Sequence, residues 1–210
     1  MFTLRKLSMA TVVAAVVTLG TVSKVQAETF TFSIDSRATF LRTAEDPLAL
    51  NSVPIDLSSL GISSGDLIRL EQLGDVSYWS NPIRDYLTNM IGVFSASDAL
   101  LPSYLQNRVQ DAIDSGEDVF TLPTSQGGGN LPTDIAQDFL ISDITLQVPT
   151  SATYLFVAAP DIYYSDNVDP DRDFGVRISS VSQSVPEPTS ILGLLAFGIS
   201  VSALQKRKQQ

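Results

Sequence analysis

Seven short apolar runs, each bounded by polar or turn-forming residues, dominate the middle of the chain. Phe30–Ile34 and Phe174–Ile178 alternate apolar and polar side chains, as expected for strands with one buried face. The other five runs are Asp66–Leu73, Met90–Phe94, Phe139–Ile141, Ile144–Val148 and Tyr154–Ala158. Glycine or proline follows several of them, including Gly74 and Pro149. Short strands with this punctuation predict a mainly β chain that folds as an antiparallel β-sandwich.

One segment has a different periodicity. Its apolar residues recur at helical spacing, and Gly116 lies where a helix would end. These residues are Leu101, Tyr104, Leu105, Val109, Ala112 and Ile113. The pattern predicts one amphipathic helix near residues 101–115, inserted between strands.

Residues 1–27 have the order of a secretory signal peptide. Arg5 and Lys6 precede an uncharged run of small and apolar residues, 9–22. Val25 and Ala27 then place small residues at positions −3 and −1 of a signal peptidase site. We predict that signal peptidase cleaves after Ala27, and the alternative is an uncleaved N-terminal anchor.

The C-terminal tail combines three elements in order. Pro186-Glu187-Pro188 stays extended because each proline disfavours helix in the residue before it. An apolar run without charge follows, at the lower limit of what spans a bilayer as a helix. The basic residues Lys206–Lys208 end it, and the positive-inside rule places them on the cytoplasmic side. The alternative is an ordinary membrane anchor with the prolines as a hinge.

These three elements resemble the PEP-CTERM sorting signal of Gram-negative bacteria and cyanobacteria. The resemblance covers residues 185–208 and implies a linker at 181–190 that carries the Pro-Glu-Pro motif, then a transmembrane helix and basic tail at 191–208. It implies cleavage by a membrane protease of the exosortase type, after transient anchoring in the inner membrane. The product would reach the cell surface or extracellular matrix, where many such proteins accompany exopolysaccharide.

The region between the two signals, with its predicted domain at 28–180, is acidic. Residues 28–184 contain seven arginines against 22 acidic residues, a net charge of −15. Such a field disfavours nucleic acid as a partner and favours divalent cations or neutral ligands, although it could equally serve solubility alone. The chain has no cysteine and no histidine. This excludes disulfides and serine–histidine or cysteine–histidine catalysis, and it disfavours zinc and copper, whereas calcium remains compatible.

Five aspartates fall within the 13 residues Asp161–Asp173, between two predicted strands. Crowded carboxylates repel one another unless a cation neutralises them, and calcium takes carboxylate, amide and backbone carbonyl oxygens. Asp161, Asp166 and Asn167 offer such side-chain oxygens. The segment therefore predicts a calcium site, with a solvated acidic turn as the alternative.

Three aspartates of this segment, Asp169, Asp171 and Asp173, are spaced as at the start of an EF-hand loop. That motif needs glycine at its sixth position and glutamate at its twelfth. Phe174 and Ser180 occupy those positions, so the sequence does not predict an EF-hand.

The order of segments from Leu60 to Ile178 resembles a second family. Gly74–Tyr78 follows a predicted strand, and Tyr164–Asn167 precedes the last one. This arrangement resembles the galactose-binding-like jelly roll of the bacterial PA-I galactophilic lectin and its relatives. The resemblance implies a calcium ion whose shell a sugar completes with two hydroxyls. Its implied protein ligands are the carbonyl of Tyr78, the side chains of Asp161, Asp166 and Asn167, and a loop carbonyl from Tyr163 or Tyr164.

Two departures from that family concern the loop itself. The spacing from Asp161 to Asp166 is two residues shorter, and Val168–Arg172 replaces a Ser-Gly pair. The galactose-contacting histidine of the lectin has no counterpart, because the chain contains no histidine. The resemblance thus implies that calcium is kept and galactose specificity is lost.

Tyr78 and Trp79 are adjacent aromatic residues that could form a platform for a sugar ring, since an aromatic face suits the C–H side of a sugar. The alternative is that the single tryptophan is a core residue.

Three functional hypotheses follow from these observations. The first is an exported, non-enzymatic surface or matrix protein that is associated with exopolysaccharide. It would bind carbohydrate through a calcium ion. The second is a structural matrix protein whose calcium only stabilises the loop. The third, less favoured, is a secreted glycosidase that uses two of the many carboxylates, none of which the spacing singles out as catalytic.

Overall fold

The computed structural model describes residues 28–78, 89–116, 135–161 and 163–181 of the 210-residue chain. These residues form eleven strands and one short 3-10 helix at Ser58–Leu60. The strands are β1 (Thr29–Ser33), β2 (Ala38–Thr39), β3 (Leu50–Asn51), β4 (Ile55–Asp56), β5 (Leu67–Leu73), β6 (Met90–Ser95), β7 (Ala112–Ile113), β8 (Asp138–Ile141), β9 (Asp143–Gln147), β10 (Tyr154–Ala158) and β11 (Gly175–Ser180).

Two antiparallel sheets make up most of the fold. The first has the order β1-β11-β5-β9, with Phe32 opposite Val176 and Ile178 opposite Leu70. In the second, β10 lies between β4 and β6, and the far edge of β6 pairs with both β7 and β8. The strands β2 and β3 form a small separate parallel pair.

Both sheets contribute to one hydrophobic core. The first sheet buries alternate residues such as Ile68 and Leu70, because its other face meets solvent. In the second sheet β6 is buried along its whole length, and Phe94 stacks on Phe139 with ring centroids 5.2 Å apart. The described residues are therefore mainly β with antiparallel sheets, an architecture consistent with a β-sandwich.

All seven predicted strands are present, as β1, β5, β6, β8, β9, β10 and β11, with ends within two residues of those predicted. The apolar residues allow these strands to be predicted, because each strand packs one or both of its faces into the shared core. The short strands β2, β3, β4 and β7 were not predicted. Two-residue strands contain too little pattern to be recognised.

The predicted helix at 101–115 is wrong. Leu100 and Val109 form an antiparallel bridge, Asn107 bridges to Leu41, and β7 pairs with the end of β6. Without β7, the backbone N–H and C=O groups of Phe94 and Ser95 would lie unpaired at the edge of a buried strand. This tertiary pairing outweighs the weak helical periodicity of the segment.

Arg108 gives a further reason why this segment is not a helix. Its side chain is 3% exposed and donates to the carbonyls of Leu41 and Thr39 at 2.6 and 2.9 Å, and to Asn51 Oδ1 at 2.9 Å. A buried guanidinium needs such acceptors, and burial lowers its pKa. Arg108 thereby holds the base of the loop between β2 and β3, from which Asp46 projects.

Both predicted processing signals lie outside the described residues. This applies to the signal peptide with Ala27, to the Pro186-Glu187-Pro188 motif, and to the C-terminal apolar segment. Within the described ranges, no helix has the length and hydropathy needed to cross a bilayer.

Candidate metal centre

The loop from β10 to β11 contains most of the predicted calcium ligands. A turn closes where the N–H of Asn167 donates to the carbonyl of Tyr164 at 3.1 Å. One residue later, Val168 forms a two-hydrogen-bond bridge with Ser77, at 2.9 and 3.0 Å. The structure therefore brings the Tyr78 segment alongside the turn of Asp166 and Asn167. These segments lie almost ninety positions apart in the sequence.

Asp46 is an additional carboxylate at this turn, which the sequence analysis did not predict. It is 2% exposed, and its Oδ2 accepts the N–H groups of Tyr164 at 2.6 Å and Ser165 at 2.9 Å. Asp46 lies 118 residues before Tyr164. Its only local signal is an aspartate before a proline, which indicates a turn but not a contact with a distant loop.

Three buried oxygens at this turn have no hydrogen-bond partner: Asp46 Oδ1, Asp166 Oδ1 and Asn167 Oδ1. The orientation of the Asn167 amide is determined by its other end, because Nδ2 donates to the carbonyl of Ser36 at 3.0 Å. Asn167 is also only 2% exposed. Buried polar atoms are nearly always paired, so three unpaired acceptors in one turn require an explanation. We name Asp46, Asp166 and Asn167 the oxygen cluster.

Charge repulsion is present in the oxygen cluster. Burial raises the pKa of Asp166, and the nearby negative charge of Asp46 raises it further. A hydrogen-bond donor or a cation would satisfy such a group. Oxygen-only ligands that include two carboxylates suit a hard cation such as calcium, and the cation would favour the ionised form of Asp166.

Tyr164, the first residue of the turn, is fully buried in the core. Burial raises the pKa of its phenol, so the hydroxyl stays neutral, and this oxygen accepts the N–H of Asp161 at 3.3 Å. The rigid core position of Tyr164 thus determines where the following residues of the turn lie.

The other predicted ligands take different positions. The Asp161 carboxylate accepts the N–H of Tyr163 at 3.4 Å, and Asp161 is not among the residues with an unpaired buried oxygen. The Tyr163 side chain is 44% exposed, whereas Tyr78 is partly buried. Trp79, the second member of the predicted aromatic platform, lies outside the described residues.

Asp169, Asp171 and Asp173 form a second carboxylate group, which we name the aspartate triad. One oxygen of each lies within 4.8 Å of the others, so the triad could hold a metal ion. Its oxygens are already used in part: Asp169 accepts the N–H groups of Arg172 and Phe174 at 2.9 and 3.2 Å, and Asp173 accepts that of Asp75 at 3.3 Å. Burial raises the pKa of Asp169, while Asp171 and Asp173 are exposed.

No protein-family model, curated protein or solved structure matches this chain. The resemblances of the tail to PEP-CTERM signals and of the domain to the PA-I lectin family therefore stay predictions.

Proposed function

We propose that this chain is an exported, non-enzymatic protein of the cell surface or extracellular matrix that binds extracellular polysaccharide through a calcium ion. The observation that carries the proposal is the oxygen cluster, with three buried and unpaired oxygens at one turn. The finer form of the architecture that we propose is a galactose-binding-like jelly roll.

In this proposal Asp46, Asp166 and Asn167 supply side-chain oxygens to calcium, and the carbonyls of Tyr78 and Tyr163 add backbone oxygens. Asp161 is a further candidate ligand at the start of the loop. Calcium takes six to eight oxygens, so the hydroxyls of a sugar can occupy the remaining positions. Asp46 strengthens the sequence-based proposal because its carboxylate, together with that of Asp166, balances the charge of a divalent ion.

The route to the surface follows from the two processing signals. Signal peptidase would remove residues 1–27, and an exosortase-type protease would act near the Pro-Glu-Pro motif after transient anchoring in the inner membrane. An acidic domain suits this destination, because its net charge keeps it soluble outside the cell.

A structural role of calcium is the second candidate, and one observation favours it. Asp46 and Asn167 are both 2% exposed, so an ion bound to them would be largely enclosed by protein. Such an ion would tie the loop between β2 and β3 to the loop before β11 without reaching a ligand.

The test is thermal and chemical unfolding of the full chain in EDTA and then in millimolar calcium. A site present only in the folded state raises stability by about 2.7 kcal/mol when calcium exceeds its Kd roughly a hundredfold. Asp46→Asn keeps an oxygen for the N–H groups of Tyr164 and Ser165 but places an amide where the unpaired oxygen is, so we expect it to abolish the shift. Asp171→Asn, in the aspartate triad, is the matched control and should keep it.

Polysaccharide binding then separates the two candidates. Carbohydrate retention that EDTA abolishes supports the binding role, whereas a calcium shift without calcium-dependent retention supports the structural role. The absence of any calcium shift in the wild-type chain would contradict both.

A further inference from the structure

An open cleft of about 610 Å³ lies beside the oxygen cluster. One wall is the segment Ser33–Arg37, which starts at the last residue of β1. The other wall comes from the loop before β11 and consists of Ser165, Asn167, Val168, Asp169 and Arg172. The two walls are adjacent because β1 pairs with β11 and the N–H of Ile34 donates to the carbonyl of Phe174 at 2.9 Å. The volume is in the range of small-ligand sites, and one or two sugar rings would fit.

Arg172, which lines this cleft, differs from the other described arginines in the partners of its guanidinium group. Four other described arginines pair with carboxylates, namely Arg37, Arg42, Arg69 and Arg177, and Arg108 donates to buried oxygens. The Arg172 guanidinium has no ion pair or hydrogen bond to any residue that the structure describes. A guanidinium without a partner in so acidic a chain is available to an anionic ligand.

The backbone at Arg172 is also strained. Its φ is +63°, a conformation that is uncommon for residues other than glycine, and its N–H donates to Asp169 Oδ1 at 2.9 Å. Asp169 therefore holds Arg172 in this conformation at the wall of the cleft. Strain of this kind concentrates at binding sites, where a particular side-chain position is needed.

The remaining groups of the cleft restrict the ligand. Asp35, which is paired with Arg37 of the same wall, and Asp169 are carboxylates that would accept further hydrogen bonds from hydroxyl groups. Both would repel a dianion such as phosphate. A neutral sugar would satisfy them and leave Arg172 unpaired. A hydroxyl-rich ring with a single carboxylate satisfies both requirements.

We propose that this cleft binds a uronate residue of an acidic polysaccharide, with the sugar carboxylate on Arg172 and sugar hydroxyls on Asp35 and Asp169. This inference rests on the proposed carbohydrate-binding function and names its substrate class. Bidentate pairing of guanidinium with carboxylate gives the site its selectivity.

The experiment measures binding of the full chain to trigalacturonate and to the same trisaccharide with its carboxyl groups reduced to alcohols, by titration calorimetry. We expect the acidic trisaccharide to bind at least about tenfold more tightly than the reduced one, as a charged hydrogen bond supplies. Arg172→Gln should remove this difference, and Arg172→Lys should restore part of it. Arg69→Gln is the matched control, because it removes one exposed cation on β5, outside the cleft. It should leave the difference unchanged.

Each outcome decides the inference separately from the calcium proposal. Selective binding that depends on Arg172 and persists in EDTA supports the uronate cleft while removing calcium from the binding mechanism. Equal affinity for the two trisaccharides, no binding of either, or an equal loss with Arg69→Gln overturns the inference. The calcium shift in unfolding is unaffected by those three results, so the proposed metal site can stand when the cleft inference fails.

Discussion

The oxygen cluster takes Asp166 and Asn167 from the same loop as the aspartate triad and Asp46 from the loop between β2 and β3. The two groups differ in what their oxygens contact. In the oxygen cluster, buried oxygens of Asp46, Asp166 and Asn167 have no partner. In the triad, Asp169 and Asp173 accept backbone N–H groups, and Asp171 and Asp173 are exposed. Both groups bring carboxylates close together. Proximity of acidic groups is therefore a weak indication of a metal site, whereas burial without a hydrogen-bond donor is a stronger one.

The physical reason is the cost of desolvation. Water and counter-ions satisfy the exposed oxygens of the triad at little cost. A carboxylate removed from water must be paired, and Asp46 is paired on one oxygen only. In the absence of a cation, the oxygen cluster should therefore be a source of instability.

The largest expected effect concerns the paired oxygen of Asp46. In Asp46→Ala, the buried N–H groups of Tyr164 and Ser165 lose their acceptor, and we expect a loss of about 2–4 kcal/mol in the free energy of unfolding even in EDTA. Denaturant titration of the full chain measures it. Asp171→Ala, in the triad, should change stability by less than about 0.5 kcal/mol. Equal losses in the two variants would remove the distinction between the groups.

The unpaired oxygens of the oxygen cluster predict that calcium changes the free energy of unfolding by an amount similar to the loss in Asp46→Ala. The stabilisation of about 2.7 kcal/mol that calcium supplies at a roughly hundredfold excess should disappear in Asp166→Ala/Asn167→Ala. Differential scanning calorimetry with and without calcium checks this. If Asp171→Asn/Asp173→Asn abolishes the shift and the Asp166 variant does not, then the triad is the metal site.

A smaller effect is expected from pH in EDTA. The folded pKa of Asp166 is raised, so the folded state binds this proton more tightly, and wild-type stability should fall as pH rises from 3.8 through the raised value. Asp166→Asn lacks this contribution. The difference between the two unfolding curves should stay below about 1 kcal/mol because partial exposure screens the charge. Calcium should reverse the sign, since it binds the ionised carboxylate. A difference that does not vary with pH would contradict the raised pKa.

The smallest effect is expected at the turn that Asp169 stabilises. Asp169→Asn keeps an acceptor for the N–H groups of Arg172 and Phe174, so stability in EDTA should change by less than about 0.5 kcal/mol. Calcium affinity at the oxygen cluster should also persist. A large loss of either would show that the two groups act as one site.

Part of the site could be predicted from the sequence. The crowding of aspartates in 161–173 predicts metal ligands at Asp166 and Asn167, and both residues carry unpaired buried oxygens. The same reasoning favoured Asp161, whose carboxylate accepts a neighbouring N–H. Asp46 could not be found, because its contact with Tyr164 joins residues 118 positions apart and no periodicity encodes such a pairing.

The seven longer strands can be predicted locally, because the alternation of buried and exposed positions is a property of each strand. The composition also excludes disulfides and catalysis by histidine or cysteine within this chain, since neither residue is present. Distant contacts explain why residues 101–115 form turns and short bridges and not a helix, because the edge of β6 and the buried Arg108 are paired there. Likewise, only the tertiary structure placed Asp46 beside the loop before β11. Whether a polar atom is buried without a partner depends on the packing of distant segments, which local sequence patterns do not specify.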